Sequence, residues 1–257
     1  MILTADFHTH TKFSHGKGTI LDNALSAKAK GVSTIAITDH GYGHTVYGIK
    51  HSRVPYMKNL CVEVEKQTGV RVLFGVEANV LGISGKTDMR VDDMQYMDLY
   101  LAGVHKMITY ETLSEWFKLF GANAIARRKN NPSPQLIKRN TEIYINTIKN
   151  NPIDILVHPN YCIFADAVEV AKCCRDYGTY FEIDARKTHL TDEEWSLVAK
   201  TGVKFVVDSD AHHPDNIGNI TGVEQLIKRT GISESQIVNI DGKYPQYFRF
   251  SEFKKKL

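Results

Sequence analysis

The sequence predicts an α/β fold in which seven parallel strands alternate with helices and close into a barrel. Short apolar runs rich in β-branched residues alternate with helical patterns along the 257 residues, and such alternation is typical of a parallel sheet covered by helices. A residue that can bind a metal ion follows almost every predicted strand. In a barrel the carboxyl ends of the strands form one ring, whereas in an open sheet they form a line too long to meet in one site.

Seven segments have the composition of buried parallel strands. They lie at residues 2–5, 33–38, 70–76, 99–104, 154–157, 179–183 and 203–207. A complete (β/α) barrel has eight strands, so we expect an incomplete one.

Helical patterns separate these strands and mostly end near glycine. They are predicted at residues 19–31, 55–67, 112–119, 165–177 and 192–200, after Pro134, and from Val223 and Glu234. The first helix begins with a capping-box pattern at Thr19 and Asp22. Leu21, Leu25 and Ala29 recur at helical spacing.

The chain length suits one domain with one core, so residues 1–257 are predicted to form a single barrel domain. The connection at about residues 106–151 is longer than the others and is predicted to be a helical insertion with a basic loop. With Trp116, Arg127 and Arg128, this insertion either covers the mouth of the barrel as a lid or is an elaborated pair of crossover helices.

The bulk composition indicates a globular protein rather than a disordered or membrane protein. Apolar residues make up 42% and charged residues 24%, and no apolar run approaches the ~20 residues of a membrane span. The net charge of +3 is too mild for a typical nucleic-acid binder. The chain reaches Asp6 too early for a signal peptide, so we expect a cytoplasmic location. The four cysteines lack CxxC spacing and are expected to be buried, reduced thiols.

Histidine is the unusual residue, with eleven copies in the chain. His8 and His10 lie two apart on an extended segment, so their side chains point to the same side and can reach one ion. Together with residues that follow a turn or a later strand, the candidate metal ligands are His8, His10, His15, His40, Glu77, His105, His158, Asp210 and His212. The remaining histidines do not follow strands in this way and are interpreted as exposed loop residues: His44, His51, His189 and His213.

Nine ligands exceed the four of one tetrahedral ion, so the sequence predicts two or three divalent transition-metal ions, with Glu77 as the natural bridge. Imidazole and carboxylate without thiolate suit Zn, Mn or Fe. Clustered ions lower the pKa of shared water to ~7 and clamp the oxygens of a phosphate ester. Phosphate-ester hydrolysis by a metal-bound hydroxide is therefore the expected reaction.

Six motifs in chain order resemble those of the PHP family, which is named for polymerases and histidinol phosphatase. The motifs are His8-Thr9-His10, Thr38-Asp39-His40, Gly75-Val76-Glu77-Ala78-Asn79, Gly103-Val104-His105, Val157-His158-Pro159 and Ser209-Asp210-Ala211-His212. The resemblance spans about residues 6 to 213. It implies a distorted (β/α)7 TIM-like barrel, a trinuclear metal site and a stand-alone phosphatase for a small phosphorylated substrate, with histidinol phosphate as the suggested one.

The resemblance also implies roles for individual residues. It allocates one ion to His8, His10, Glu77 and Asp210, a second to His15, His40 and His158, and a third to Glu77, His105 and His212. Asp39 would orient a ligand or assist proton transfer. Separately, Arg186 and Lys17 are candidates for phosphate binding, because phosphate recognition uses arginine or lysine near the metals.

Three other functions stay open. A nuclease or phosphodiesterase would need a basic groove lined by aromatic residues, which the sequence does not clearly contain. An amidohydrolase also begins with His-x-His, but Asp39-His40 and Glu77 after the second and third strands favour the phosphoesterase. A non-catalytic metal-binding module is disfavoured because all nine ligand positions are filled.

Overall fold

The computed structural model describes residues 1–129 and 131–256; residue 130 of the predicted insertion and residue 257 lie outside it. Seven parallel strands form one sheet in which spatial order follows chain order. They are β1 (Ala5–Thr9), β2 (Thr34–Ile37), β3 (Arg71–Asn79), β4 (Leu99–Gly103), β5 (Ile155–Leu156), β6 (Tyr180–Asp184) and β7 (Phe205–Asp208). A parallel bridge between Thr9 and Ala211 links the two edge strands. The sheet is therefore a nearly closed barrel, which confirms the predicted fold class.

Helices connect the strands. Within the described ranges they are α1 (Ile20–Ala29), α2 (Val54–Thr68), α3 (Leu113–Trp116), α4 (Ala122–Lys129), α5 (Pro134–Asn150), α6 (Ala167–Tyr177), α7 (Asp192–Ala199), α8 (Val223–Thr230) and α9 (Arg249–Lys254). A π-helical stretch at Phe117–Gly121 joins α3 to α4. None of the described helices combines the length and the apolar character that a bilayer crossing requires.

Four predicted strands end later than expected: β6 and β7 by one residue, and β1 and β3 by more. The first was predicted at residues 2–5, but β1 runs on through His8, and β3 continues past Glu77 to Asn79. The prediction was wrong because it ended each strand at the first polar residue. The side chains of His8 and Glu77 are fully buried inside the barrel. Each strand can therefore continue through its polar residue.

The predicted helices also need corrections. The prediction of a basic loop is wrong, because Arg127 and its basic neighbours form the last turn of α4. Positive charge at the end of a helix stabilises it. Only a single 3-10 turn begins at Glu234. The helix α1 has the predicted capping box, but Leu25 is 48% exposed, and small residues such as Ala24 and Ala27 are buried instead. Spacing alone could not tell which face of α1 meets the sheet.

The apolar core has two layers, separated by the sheet. Residues such as Phe7, Leu101 and Val206 fill the barrel interior, whereas residues such as Phe74 and Phe181 on the outer face pack with the helices. All four cysteines are buried and free, as predicted.

Candidate metal centre

An irregularity in β1 turns His8 into the barrel. The register with β2 shifts by one residue between Asp6 and Thr9. An extra residue of this kind breaks the alternation of side chains along a strand. Phe7 packs in the interior core, and the next residue, His8, also points inward, with Nε2 lying 3.4 Å from Glu77 Oε1.

Glu77 is fully buried and lies at the centre of the predicted ligands. Its Oε1 lies 2.8 Å from His105 Nε2 and 2.7 Å from His158 Nε2, and its Oε2 lies 2.6 Å from His40 Nδ1. Burial alone would raise the pKa of Glu77, but the surrounding imidazoles, His105 foremost, hold that pKa well below its ordinary value. The carboxylate is therefore ionised and can bind cations.

Three residues place their donor atoms at the spacing of a tetrahedral metal site. The Nε2 atoms of His8 and His10 lie 3.2 Å apart, and Asp210 Oδ1 lies 3.5 and 3.2 Å from them. Ligands of a tetrahedral zinc ion stand roughly 3.3 Å apart, given bonds of about 2.0–2.1 Å. Glu77 lies beside this set, but it approaches His8 with Oε1, at 3.4 Å, and His10 with Oε2, at 3.6 Å. The geometry thus fits one ion to three of the four residues that the resemblance implies, with Glu77 next to them.

The other histidines group differently from the allocation that the resemblance implies. Four sets have donor atoms within 4.8 Å of one another: His10, His40 and His212; His8, His10 and Asp210; His8, Glu77 and His158; His40, Glu77 and His105. His158 thus lies with His8 and Glu77 rather than with His15. His15 belongs to none of these sets of described residues, and its ring stacks on Tyr47 with centroids 4.3 Å apart.

Buried polar atoms in the cluster lack partners. Glu77 Oε2 and His40 Nδ1 lie 2.6 Å apart, yet neither has a hydrogen-bond partner in the described part of the chain. Such an atom costs about 1–3 kcal/mol when it is buried unpaired. Divalent ions would give both atoms a partner, so the donor set fits metal ions rather than a purely structural network.

The backbone at two ligands is strained. His158 has φ 30° and Asp210 has φ 44°, in the left-handed region that residues other than glycine rarely adopt. Each such residue costs on the order of 1–3 kcal/mol and is typical of functional sites. Gly103 makes room for the first of them, because a Cβ there would lie 2.7 Å from His158 Cε1.

Glu182 contacts two of the predicted ligands, and the sequence reasoning missed it. It is fully buried in β6, its Oε1 accepts a hydrogen bond of 2.7 Å from His8 Nδ1, and its Oε2 accepts one from the His158 N–H. A carboxylate on the outer nitrogen of a histidine directs the other nitrogen toward a metal. A charged residue inside an apolar strand was the available signal.

Asp39 lies behind the cluster, fully buried. Its carboxylate accepts hydrogen bonds of 2.7 and 2.6 Å from the N–H and hydroxyl of Thr11, and one of 2.5 Å from Ser14 Oγ. Burial raises the pKa of Asp39 to about 6 despite these bonds. Ser14 Oγ also lies 3.4 Å from His10 Nδ1. Of the two roles implied for Asp39, this geometry suits orientation of His10.

A cavity of about 480 Å³ opens above the cluster at the carboxyl ends of the strands. Arg186 lies in its wall and donates a 2.8 Å hydrogen bond from Nη1 to Asp210 Oδ2. Lys17, the other candidate for phosphate binding, is exposed and is not among the described residues that line the cavity. Among the described residues, Arg186 thus lines the cavity and Lys17 does not, although the Lys17 N–H donates a 2.8 Å hydrogen bond to the carbonyl of the predicted ligand His212.

Two histidines interpreted as exposed loop residues line this cavity. His44 stacks on His40 with centroids 4.7 Å apart, and His189 packs on Tyr161 with centroids 5.0 Å apart. Burial and neighbouring cationic groups lower the pKa of each to about 4. The earlier interpretation was wrong for these two because it considered only residues that directly follow strands.

The segment at residues 106–151 flanks the cavity. Lys106 and Met107 line the cavity wall, and Arg127 donates a 3.0 Å hydrogen bond to the carbonyl of Tyr161. Trp116 is 42% exposed and is not among the described residues of the lining.

Comparisons with known proteins identify the family to which the chain belongs. The family model for the PHP domain matches residues 6–186. A probable phosphatase from Thermoanaerobacter sp. strain X514 is 34% identical over 100% of this chain and 98% of its own length. A probable phosphatase from Caldanaerobacter subterraneus is 32% identical over 96% of this chain and 91% of its own length.

Solved structures show the same fold. The histidinol phosphate phosphatase of Lactococcus lactis, in complex with zinc, L-histidinol and phosphate, superimposes with a TM-score of 0.59 at 13% identity, covering 91% of this chain and 95% of that chain. The prediction of an enzyme, a metal-dependent phosphatase, is confirmed by the family match and the relatives. Because the family model covers most of the barrel and relatives align along almost their whole length, this chain belongs to the PHP domain family.

Proposed function

We propose that this chain hydrolyses a small phosphate monoester with two or three divalent transition-metal ions, Zn, Mn or Fe. One observation carries the proposal: at the floor of a cavity of about 480 Å³, donor atoms of His8, His10 and Asp210 stand at tetrahedral spacing beside the buried carboxylate of Glu77. Nine residues are proposed to hold the ions: His8, His10, His15, His40, Glu77, His105, His158, Asp210 and His212. Of these, His15 has the least support from the geometry.

When bound, the ions neutralise charge on the phosphoryl group and activate water for attack. The chain's own residues would orient the ligands of these ions and bind the phosphate group. Glu182 directs His8, and Asp39 acts on His10 through Ser14. Arg186 presents a guanidinium in the cavity wall, and its planar fork of donors suits phosphate oxygens.

Histidinol phosphate is the first substrate to test. Its support is the sequence resemblance and the Lactococcus lactis neighbour, which was solved with L-histidinol and phosphate. At 13% identity that neighbour supports the fold, so the substrate rests on analogy.

The test is phosphate release from a panel of monoesters by protein loaded with Zn, Mn or Fe, with nucleotides, single-stranded DNA and an amide in the same panel. We expect release from at least one monoester and at least two ions per chain by elemental analysis. Cleavage of DNA or of the amide without release from any monoester would favour a nuclease or an amidohydrolase. Less than one ion per chain after reconstitution would contradict the metal centre.

A further inference from the structure

Two lysines in the cavity wall have no part in the proposed hydrolysis. Lys106 and Lys187 both line the cavity and are exposed. Within the described ranges neither lysine forms an ion pair with a carboxylate, whereas Arg186, which lines the same cavity, pairs with Asp210. Lys106 Nζ instead lies 5.1 Å from the centroid of the Tyr161 ring. Both ammonium groups are therefore available to a ligand in the cavity.

The Tyr161 ring contacts both Lys106 and a predicted metal ligand. Its centroid lies 5.2 Å from that of the His158 ring and 5.1 Å from Lys106 Nζ. The Lys106 ammonium group therefore lies no farther from the His158 ring than these two distances together. The two ends of one small molecule can span that separation.

The carboxylates of the cavity are already engaged. Glu77 and Asp210 face the predicted metal ligands, and Asp184 accepts hydrogen bonds from the N–H groups of Arg186 and Lys187, at 2.8 and 3.3 Å. Positive charge therefore prevails at the rim. The low pKa of His189, about 4, agrees with this, because Lys187, Arg127 and Lys106 add to the effect of burial and of His158.

We propose that the leaving group of the substrate itself carries an anion, a carboxylate or a second phosphate, which Lys106 and Lys187 bind. This inference rests on the proposed function and narrows its substrate class. The reacting phosphate lies at the metal centre beside Arg186, and the second anion lies at the lysines. Charge-assisted hydrogen bonds from ammonium groups favour such a substrate, whereas the ammonium group of histidinol phosphate meets like charge. The two lysines are thus specificity-determining residues.

The test compares two esters that differ mainly in the second anion. In both 3-phosphoglycerate and glycerol 3-phosphate the phosphate is on the third carbon, but only the first has a carboxylate, where the second has a hydroxymethyl group. We expect kcat/KM of the metal-loaded protein to be about tenfold higher for 3-phosphoglycerate, the effect of one charge-assisted interaction. Lys106→Gln and Lys187→Gln should each move this ratio toward one, mainly by raising KM for 3-phosphoglycerate.

Lys172→Gln is the matched control, since Lys172 lies on α6 and pairs with Glu169 at 2.7 Å; the ratio should stay at its wild-type value. Elemental analysis of every variant checks that metal content is equal. An equal kcat/KM for both esters, an unchanged ratio in both lysine variants, or hydrolysis confined to esters without a second anion would overturn the inference and leave the phosphatase intact. Failure to hydrolyse any monoester would instead overturn the proposed function.

Discussion

Two buried carboxylates show how the two ends of the barrel differ. Asp154, at the amino end, is fully buried and accepts hydrogen bonds from the N–H groups of Tyr100 and Phe250, at 3.0 and 2.9 Å. Glu77, at the carboxyl end, is equally buried, but its neighbours are imidazole nitrogens and one of its oxygens has no hydrogen-bond partner among the described residues. The carboxylate of Asp154 thus links parts of the fold, whereas the carboxylate of Glu77 keeps an oxygen that can bind a metal ion.

The surroundings of the two ends differ in the same way. At the amino end, Tyr244 and Phe248 pack edge-on against Phe7, with ring centroids 5.7 and 5.6 Å away. The amide of Asn239 donates to the carbonyls of both β1 and β7 there. The amino end is thus filled by aromatic rings, and the carboxylate of Asp154 and the amide of Asn239 are paired there, although the Tyr244 hydroxyl has no hydrogen-bond partner among the described residues. The carboxyl end has strained backbone at His158 and Asp210 and buried polar atoms without hydrogen-bond partners among the described residues. We therefore expect substitutions there to affect metal binding and activity more than folding.

The largest expected effect is that of Glu77→Gln, which removes the charge at the centre of the cluster. Loss of an outer-shell partner typically costs 10–100-fold in metal affinity or activity, so loss of this charge should cost at least about 100-fold in kcat/KM. Elemental analysis and phosphate release should fall together. Glu193→Gln, the same change on the exposed face of α7, is the control. Full metal occupancy with near-normal turnover would show that Glu77 is not the bridge.

Glu182→Gln tests the carboxyl end at a residue that contacts the predicted ligands His8 and His158. An amide cannot accept hydrogen bonds from both His8 and His158 with its two terminal atoms, so one donor loses its partner. We expect a 10–100-fold weaker metal affinity, measured by titration of metal-free protein, with activity largely restored by excess metal. If affinity stays at the wild-type value, Glu182 has only a structural role.

Phe248→Ala tests the amino end. Phe248 is half-buried against Phe7 and Tyr180, so its loss should cost about 2 kcal/mol, less than the 3–5 kcal/mol of a fully buried Phe. Urea unfolding of the metal-free protein measures this change, and kcat/KM at saturating metal should stay unchanged. A large drop in kcat/KM without a drop in stability would show that the two ends are not independent.

The last prediction concerns how the unfolding free energy depends on pH through Asp154. Burial raises the pKa of Asp154 to about 7 in the folded protein, against about 3.9 in an unfolded chain. The folded state therefore binds the proton more tightly, and this carboxyl lowers stability as pH rises from about 4 to about 7, with no further change above. Asp154→Asn removes that slope. The difference in unfolding free energy between wild type and variant should change only within this window, as urea titrations at several pH values would show.

The position of the ligands along the chain could be predicted because parallel strands bring their carboxyl ends together. His40, His105 and His158 each follow a short apolar run, and the structure places all three beside Glu77. Glu182 could not be assigned in this way, because its role depends on His8, which is 174 residues away in sequence. Nor could His44 and His189, since loops position their side chains in the cavity.

The sequence by itself determined the strand order, the barrel and the set of chemical groups at its carboxyl end, because apolar periodicity and side-chain chemistry are local properties. Only the tertiary structure decided how those groups meet. The extra residue in β1 turns both Phe7 and His8 inward, and the left-handed backbone of His158 and Asp210 aims their side chains at the cluster. Such details follow from the packing of strands against one another, which no local pattern records.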